Sequence, residues 1–240
     1  YNTAVDQSQE WCHVLVSGEM RRIRFHDYAE IYSVPGLYEE LFYDQLKCCS
    51  PSCIVNLLKD VAVDHGEDLE DWAVLDVGAG NGMVGDELDH HGVKAIVGVD
   101  IIDKARTAAL RDRPEVYDDY LVADLTDLPE DQEERLRKYS LNCLTTVAAL
   151  GFGDVPPAAF VRALSMISTP GWLAFNIKES FLKQDDHTGF CGLIQRLCRD
   201  EYIQTQCYRR YCHRMSMAGE PLYYVAMICK KLRDCPADYA

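Results

Sequence analysis

The 240-residue chain is 48% hydrophobic and 26% charged, which is enough apolar sequence for one packed domain and argues against wholesale disorder. Its formal net charge of −15 disfavours a nucleic-acid partner, because an acidic protein repels phosphates unless a local basic patch overcomes the global field. Two short basic runs are predicted as solvated surface: Arg21, Arg22 and Arg24, and Arg209, Arg210 and Arg214.

The N-terminal part of the chain, residues 20–60, is predicted to be helical, since apolar residues recur there at roughly helical spacing. Pro35-Gly36 divides this region, and Ser50-Pro51 begins a further helix. We therefore assign residues 1–60 to an N-terminal helical segment, 61–232 to the main domain and 233–240 to a tail.

From residue 74 onwards, short apolar strands alternate with helices. Strands are predicted at 74–77, 95–100, 120–123, 141–149, 171–177, 203–210 and 222–230, and helices up to His91 and at 103–112, 130–138, 157–167 and 189–200. This alternation is typical of a parallel sheet covered on both faces, which places the chain in the α/β class with a doubly wound sheet. The last two strands have no helix between them and predict an antiparallel hairpin at the sheet edge.

A glycine-rich turn follows the first of these strands, in Asp76-Val77-Gly78-Ala79-Gly80-Asn81-Gly82. Glycines at alternate positions let the backbone turn sharply and approach a ligand with no Cβ in the way. The helix that follows presents its N-terminal N–H groups to that ligand. The turn therefore predicts a binding loop for a nucleoside-type cofactor.

Two further acids end the next two strands. Asp100 follows the second strand, where a carboxylate can accept hydrogen bonds from both hydroxyls of a ribose. Asp124 follows the third, where an acid can reach an adenine amino group. Because the carboxyl ends of adjacent parallel strands share one crevice, we expect these acids and the glycine turn to converge on one site.

These motifs resemble those of the class I S-adenosylmethionine-dependent methyltransferases over roughly residues 70–230. The resemblance implies a Rossmann-like seven-stranded sheet of order 3-2-1-4-5-7-6 with strand 7 antiparallel, S-adenosylmethionine as cofactor and S-adenosylhomocysteine as product. Asp100 matches the family's ribose-binding acid and Asp124 its adenine-contacting acid. The implied cofactor site comprises Asp76, Gly78, Ala79, Gly80, Asn81, Gly82, Asp100, Ile101, Asp124 and Leu125.

A second element of resemblance precedes the main domain. Phe25-His26-Asp27-Tyr28-Ala29-x-x-Tyr32 is similar to the F-D-x-x-A-x-x-Y element of many small-molecule methyltransferases, which forms part of a lid over the methionine end of the cofactor. The resemblance thus implies an N-terminal helical lid and adds Tyr28 to the cofactor site. Residues 146–181 are similar, more narrowly, to the methyltransferase-like group named after the Williams–Beuren region.

The acceptor is predicted to be a small molecule that receives the methyl group by direct in-line displacement. We expect it between the loops 151–157 and 178–189, with Tyr32, Phe152 and Phe181 as binding residues. No catalytic base is evident. Because the sulfonium of the cofactor is already a reactive methyl donor, the enzyme can accelerate the transfer mainly by aligning and desolvating the two reactants. Candidate acceptor-side groups are His26, Tyr28, Asn142 and His187.

Two alternatives stay open. The first is a non-catalytic S-adenosylmethionine-binding protein that has kept the fold and lost activity. The second is an NAD-dependent dehydrogenase, because Gly80-Asn81-Gly82-Met83-Val84-Gly85 also fits G-x-G-x-x-G. Against the dehydrogenase, Gly78 already breaks the strand, and the carboxylate of Asp76 would repel a pyrophosphate.

The eleven cysteines bear on the compartment and on metal binding. They do not form regular pairs, so reduced thiols in a cytoplasmic protein are predicted, and no apolar run reaches the roughly 18 residues of a membrane span. Cys48, Cys49 and Cys53 could bind a soft metal together with Cys212 and His213, but the chain has no C-x-x-C pair. No metal site is therefore predicted.

Overall fold

A computed structural model describes residues 7–183, 185–236 and 239–240. Its main feature is a seven-stranded mixed sheet, accompanied by a separate two-stranded sheet near the N-terminus. The strands in chain order are β1 (Trp11–Val16), β2 (Glu19–Arg24), β3 (Ala73–Val77), β4 (Ala95–Asp100), β5 (Asp119–Val122), β6 (Cys143–Thr146), β7 (Gly171–Lys178), β8 (Ile203–Met215) and β9 (Pro221–Lys231).

The strand order of the main sheet is β5-β4-β3-β6-β7-β9-β8. Counted from β3 as the first strand, this is 3-2-1-4-5-7-6, and β9 pairs antiparallel with β7. The predicted fold class is therefore confirmed. The parallel strands β3 and β4 are apolar over almost their whole length because helices cover both faces of the sheet.

Eight α-helices accompany the strands in the described residues. They are α1 (Tyr28–Ser33), α2 (Leu37–Glu39), α3 (Ser50–Asp64), α4 (Met83–His90), α5 (Asp103–Asp112), α6 (Glu130–Arg137), α7 (Pro157–Met166) and α8 (Phe190–Arg199). Apolar residues of α3 and α4 pack on one face of the sheet, and those of α6, α7 and α8 on the other. Within the described residues, no helix combines the length and the hydropathy that crossing a membrane would require.

The N-terminal segment differs in part from its prediction. It is helical from Tyr28, and α2 continues into a π-helical stretch at Glu40–Gln45, but β1 and β2 form an antiparallel hairpin instead of the start of a helix. Ser17 and Gly18 form its turn with positive φ at both residues, which suits the right-handed twist of a two-residue hairpin. In β2 only Ile23 is buried, so the strand has too few apolar residues to show a period of two.

The hairpin brings the two ends of the chain together through a buried ion pair. Arg214 in β8 donates to the carboxylate of Glu10 at 2.6 Å, and the two side chains are 3% and 2% exposed. The other carboxylate oxygen of Glu10 accepts the backbone N–H of Met217. Arg214 was predicted to lie on the solvated surface, and this prediction is wrong. Its charge is tolerated inside the protein because Glu10 neutralises it.

We expect Glu10→Ala to lower the free energy of unfolding by about 3–5 kcal/mol, because it leaves the Arg214 guanidinium buried without a counter-charge. Chemical denaturation measures the loss. Glu179→Ala is the matched control, since Glu179 forms an exposed pair with Arg210 at 2.7 Å, and its removal should change stability far less. Equal losses in the two variants would contradict the structural role of the buried pair.

Candidate active site

The glycine turn lies between β3 and α4, at the carboxyl edge of the parallel strands. Gly78 and Gly80 have positive φ values of 72° and 56°. A Cβ added to Gly78 would lie 2.7 Å from Ala149 Cβ, and one added to Gly80 would lie 2.5 Å from the Tyr32 hydroxyl. Glycine is therefore required at both positions by conformation and by space.

Asp100 holds this turn from the neighbouring strand. Its carboxylate accepts the N–H of Gly80 and the N–H of Ile102, both at 2.9 Å. Burial raises the pKa of Asp100, and the two backbone donors act in the opposite direction. The hydroxyl of Tyr120 in β5 donates to the carbonyl of Gly80 at 2.7 Å, so both polar groups of Gly80 are bound by the adjacent strands.

Asp76 lies beneath the turn and is almost fully buried. Its two carboxylate oxygens accept hydrogen bonds from the hydroxyls of Thr145 and Tyr117, each at 2.8 Å. Burial raises its pKa to about 6, although both hydroxyl donors lower it. Asp76 lines neither of the two cavities next to the turn, so it supports the loop from below.

The first cavity opens along the carboxyl ends of β3, β4 and β5. Both predicted acids line it, Asp100 at its wall and the exposed Asp124 at its rim. The carboxylate of Asp124 also caps a 3₁₀ turn by accepting the backbone N–H of Thr126. Ile101 is 60% exposed there, an uncommon degree of exposure for a large apolar side chain. The cavity thus offers carboxylates and an apolar wall together. Its other apolar residues include Val77, Val99, Ala123, Leu125, Val155 and Ala159.

The second cavity is the smaller of the two, and it adjoins the first. Tyr28, Tyr32, Gly78 and Asp154 are among the residues that line both cavities. Apart from the glycine turn, its wall is mostly aromatic and comes from the N-terminal segment. His26 also lines this wall, and its Nδ1 lies 3.8 Å from a carboxylate oxygen of Asp154. The second cavity therefore places a histidine and a carboxylate near the boundary with the first.

The N-terminal segment is also bonded to the glycine turn. The carboxylate of Glu39 in α2 accepts from the side-chain amide of Asn81 and from the guanidinium of Arg113, both at 2.8 Å. Arg113 donates in addition to the carbonyl of Asn81. The helices that cover the site are thus held in place by polar contacts as well as by aromatic packing.

The structure brings most of the predicted site residues to these cavities. Ala79, Gly80, Asn81 and Phe152 line the second cavity, whereas Gly82 lines neither and precedes α4. The ring of Phe181 packs against that of Phe152 with centroids 4.8 Å apart, behind the wall of the cavity.

Two candidate acceptor-side groups lie elsewhere. Asn142 precedes β6, at the amino edge of the sheet, and its side chain accepts the N–H of Ala73. His187 is exposed and lines neither cavity. The structure therefore leaves His26 and Tyr28 as the predicted candidates that reach the site.

Sequence reasoning missed several residues of the second cavity. They come from both ends of the chain, from the lid and from the loop 151–157: Gln7, His213, Arg214 and Tyr224, then Tyr38, then Asp154. Asp154 could have been found, because it lies in the loop 151–157 that was predicted to bound the acceptor space. The others carry no local signal, since β8 and β9 reach the cavity only through their register in the sheet.

The cysteine cluster noted in the sequence does assemble. Cys48 Sγ lies 3.8 Å from His213 Nδ1, and Cys49 Sγ donates to the carbonyl of Cys212 at 3.3 Å. Burial raises the pKa of the Cys48 thiol to about 11, which keeps it protonated at neutral pH. Across residues 7–183, 185–236 and 239–240, no three His, Cys, Asp or Glu side chains are arranged to hold a metal ion.

Comparison with known proteins agrees with this geometry. A family model described as a methyltransferase domain matches residues 75–175, which include the glycine turn and both strand-end acids. Residues 75–175 are therefore similar to a methyltransferase domain. No curated protein sequence matches the chain significantly.

Solved structures similar to this chain share its fold at low sequence identity. Magnesium protoporphyrin IX methyltransferase from Synechocystis, with bound S-adenosylmethionine, has a TM-score of 0.52 and 15% identity over 75% of this chain and 79% of that one. A candidate RNA methyltransferase from Pyrococcus horikoshii has a TM-score of 0.53 and 12% identity over 75% and 83%. An S-adenosylmethionine-dependent methyltransferase from Mesorhizobium loti has a TM-score of 0.52 and 14% identity over 73% and 96%.

The raised pKa of Asp76 leads to a prediction about stability. Between about pH 4 and pH 6 the folded protein keeps a proton on Asp76 that the unfolded chain has released, so this group lowers the free energy of unfolding as the pH rises through that range. Asp76→Asn should remove this contribution, and urea unfolding of both proteins would show it as a free energy of unfolding that rises, relative to the parent, between about pH 4 and pH 6. Parallel profiles would contradict the assignment.

Proposed function

We propose that the methyltransferase binds the adenosine of S-adenosylmethionine in the first cavity and its methionine end over the glycine turn. The supporting features are the exposed carboxylate of Asp124 at the rim of this cavity, the carboxylate of Asp100 and the apolar residues that line the rest of its wall. Each oxygen of Asp100 accepts one backbone N–H and keeps a lone pair for a ribose hydroxyl. The residues present therefore fit the cofactor that the domain uses.

We further propose that the second cavity holds a small-molecule acceptor. The observation that carries this proposal is the shared wall of the two cavities, because Tyr28, Tyr32 and Asp154 face both. Buried side chains such as Phe25 and Phe42 line the second cavity. A cavity lined by buried side chains suits a small molecule better than a polymer. The net charge of −15 also disfavours an RNA acceptor.

In this arrangement S-adenosylmethionine supplies an electrophilic methyl group on a sulfonium. The aromatic side chains of the N-terminal segment orient the acceptor and exclude water from the reacting atoms. With S-adenosylmethionine bound, an acceptor hydroxyl or amine that received the methyl group would lose a proton, and His26 would receive it. Asp154 orients the imidazole and stabilises the cation that results.

Asp100→Ala should weaken binding of S-adenosylhomocysteine roughly ten- to a hundredfold, because it removes charge-assisted hydrogen bonds worth about 1.5–3 kcal/mol. Isothermal titration calorimetry measures the change, with NAD as a ligand that should not bind. Asp124→Ala should have a smaller effect, since its partner is a neutral amino group. Tight binding of NAD, or parent-like binding by a folded Asp100→Ala, would show that the cofactor site is misplaced.

His26→Phe should reduce methyl transfer roughly 100- to 10,000-fold while leaving S-adenosylhomocysteine binding unchanged, because it removes the proton acceptor but keeps the ring volume. The assay is a product-coupled screen of small molecules followed by kinetics on the best acceptor. His187→Phe is the matched control, since that histidine is exposed and remote from both cavities. A loss of cofactor binding in place of turnover would assign His26 to the cofactor, and binding without any turnover would favour a non-catalytic protein.

A further inference from the structure

One part of the second cavity is lined by polar residues that do not line the first cavity. Three of its residues come from distant parts of the chain: Gln7 at the start of the described residues, and Arg214 and Tyr224 in the two antiparallel strands β8 and β9. The rest of the wall is largely aromatic and includes Phe25 and Phe42, whose rings pack edge to face. The cavity is thus an aromatic slot with a polar end.

Gln7 at this polar end has an unused hydrogen-bonding atom. The side chain is 8% exposed, and its amide nitrogen donates to the Tyr224 hydroxyl at 3.0 Å. Its amide oxygen is fully buried and has no hydrogen-bond partner among residues 7–183, 185–236 and 239–240. Native proteins rarely leave a buried polar atom unpaired, because the atom has lost its hydrogen bonds to water without replacement. An unpaired amide oxygen that lines a cavity is explained by a ligand that donates to it.

The residues that form the polar end carry no net charge of their own. Glu10 neutralises Arg214 at 2.6 Å, and burial together with Arg214 lowers the pKa of His213 to about 3, so the imidazole is neutral. A charged ligand group placed there would lose its hydration without gaining a counter-ion. The polar end therefore selects for an uncharged group.

We propose that the acceptor is an uncharged aromatic molecule whose far end bears a group that both donates and accepts hydrogen bonds, such as a carboxamide, held by Gln7 and Tyr224. This inference rests on the proposed function, since it assigns the opposite end of the same molecule to the methyl acceptor beside His26. A carboxamide donates to the Gln7 oxygen and accepts from the Tyr224 hydroxyl. If the oxygen and nitrogen of the Gln7 amide are interchanged, a carboxamide still forms hydrogen bonds with it, because a carboxamide has both a donor NH₂ group and an acceptor oxygen.

Three probes test this chemistry on protein saturated with S-adenosylhomocysteine. They are 4-hydroxybenzamide, 4-hydroxybenzoate and 4-hydroxybenzylamine, which share a phenol ring and carry a neutral, a negative and a positive group opposite the hydroxyl. Calorimetry should show the amide binding at least about tenfold more tightly than either charged probe, the factor expected for one buried hydrogen bond. Equal binding of the three, a preference for a charged probe, or no binding of any would overturn the inference.

Variants of Gln7 identify the group that makes the selection. Gln7→Leu should remove the preference for the amide, and Gln7→Glu should shift it towards 4-hydroxybenzylamine by adding a negative charge. Gln204→Leu, on the exposed face of β8, is the matched control and should keep the parent preference. An unchanged preference in both Gln7 variants would overturn the assignment. Binding of S-adenosylhomocysteine, measured first in every variant, separates these outcomes from failure of the cofactor site itself.

Discussion

The carboxylate of Asp100 is the group on which the geometry of the site depends. By accepting the N–H of Gly80 and the N–H of Ile102, it joins the turn after β3 to the turn after β4. Tyr120 from β5 binds the carbonyl of the same glycine. Three neighbouring parallel strands thus determine the path of one loop, and the first cavity is the space left at their carboxyl ends.

Asp76 supports this loop from within the core. Its carboxylate is bound by hydroxyls from β6 and from the segment before β5, and burial raises its pKa to about 6. At neutral pH the group is mainly ionised, so it places a negative charge beneath the glycine turn. Such a charge favours the ammonium group of a methionine moiety and opposes a pyrophosphate, which is the physical basis for preferring one nucleoside cofactor over another.

The second cavity depends on contacts between the two ends of the chain. The Glu10–Arg214 pair attaches the segment before β1 to β8, and Gln7 reaches Tyr224 in β9. Burying a charged pair and leaving an amide oxygen unpaired both oppose stability. Groups of this kind are concentrated at functional sites, and here they line the second cavity.

The sequence by itself determined the alternation of strands and helices, the glycine turn and the two strand-end acids, because apolar strands, glycines and their spacing act locally. The order of the strands in the sheet followed only from the resemblance to the methyltransferase family. It could not show the hairpin of β1 and β2, whose charged residues obscure the alternation, nor the position of Asn142. That residue was predicted inside a strand, yet β6 begins only at Cys143, which leaves Asn142 at the opposite edge of the sheet. Only the tertiary structure decided which residues face the acceptor. Gln7 and Tyr224 meet through strand register and chain-end packing across a sequence separation of 217 residues, and no local pattern encodes such a contact.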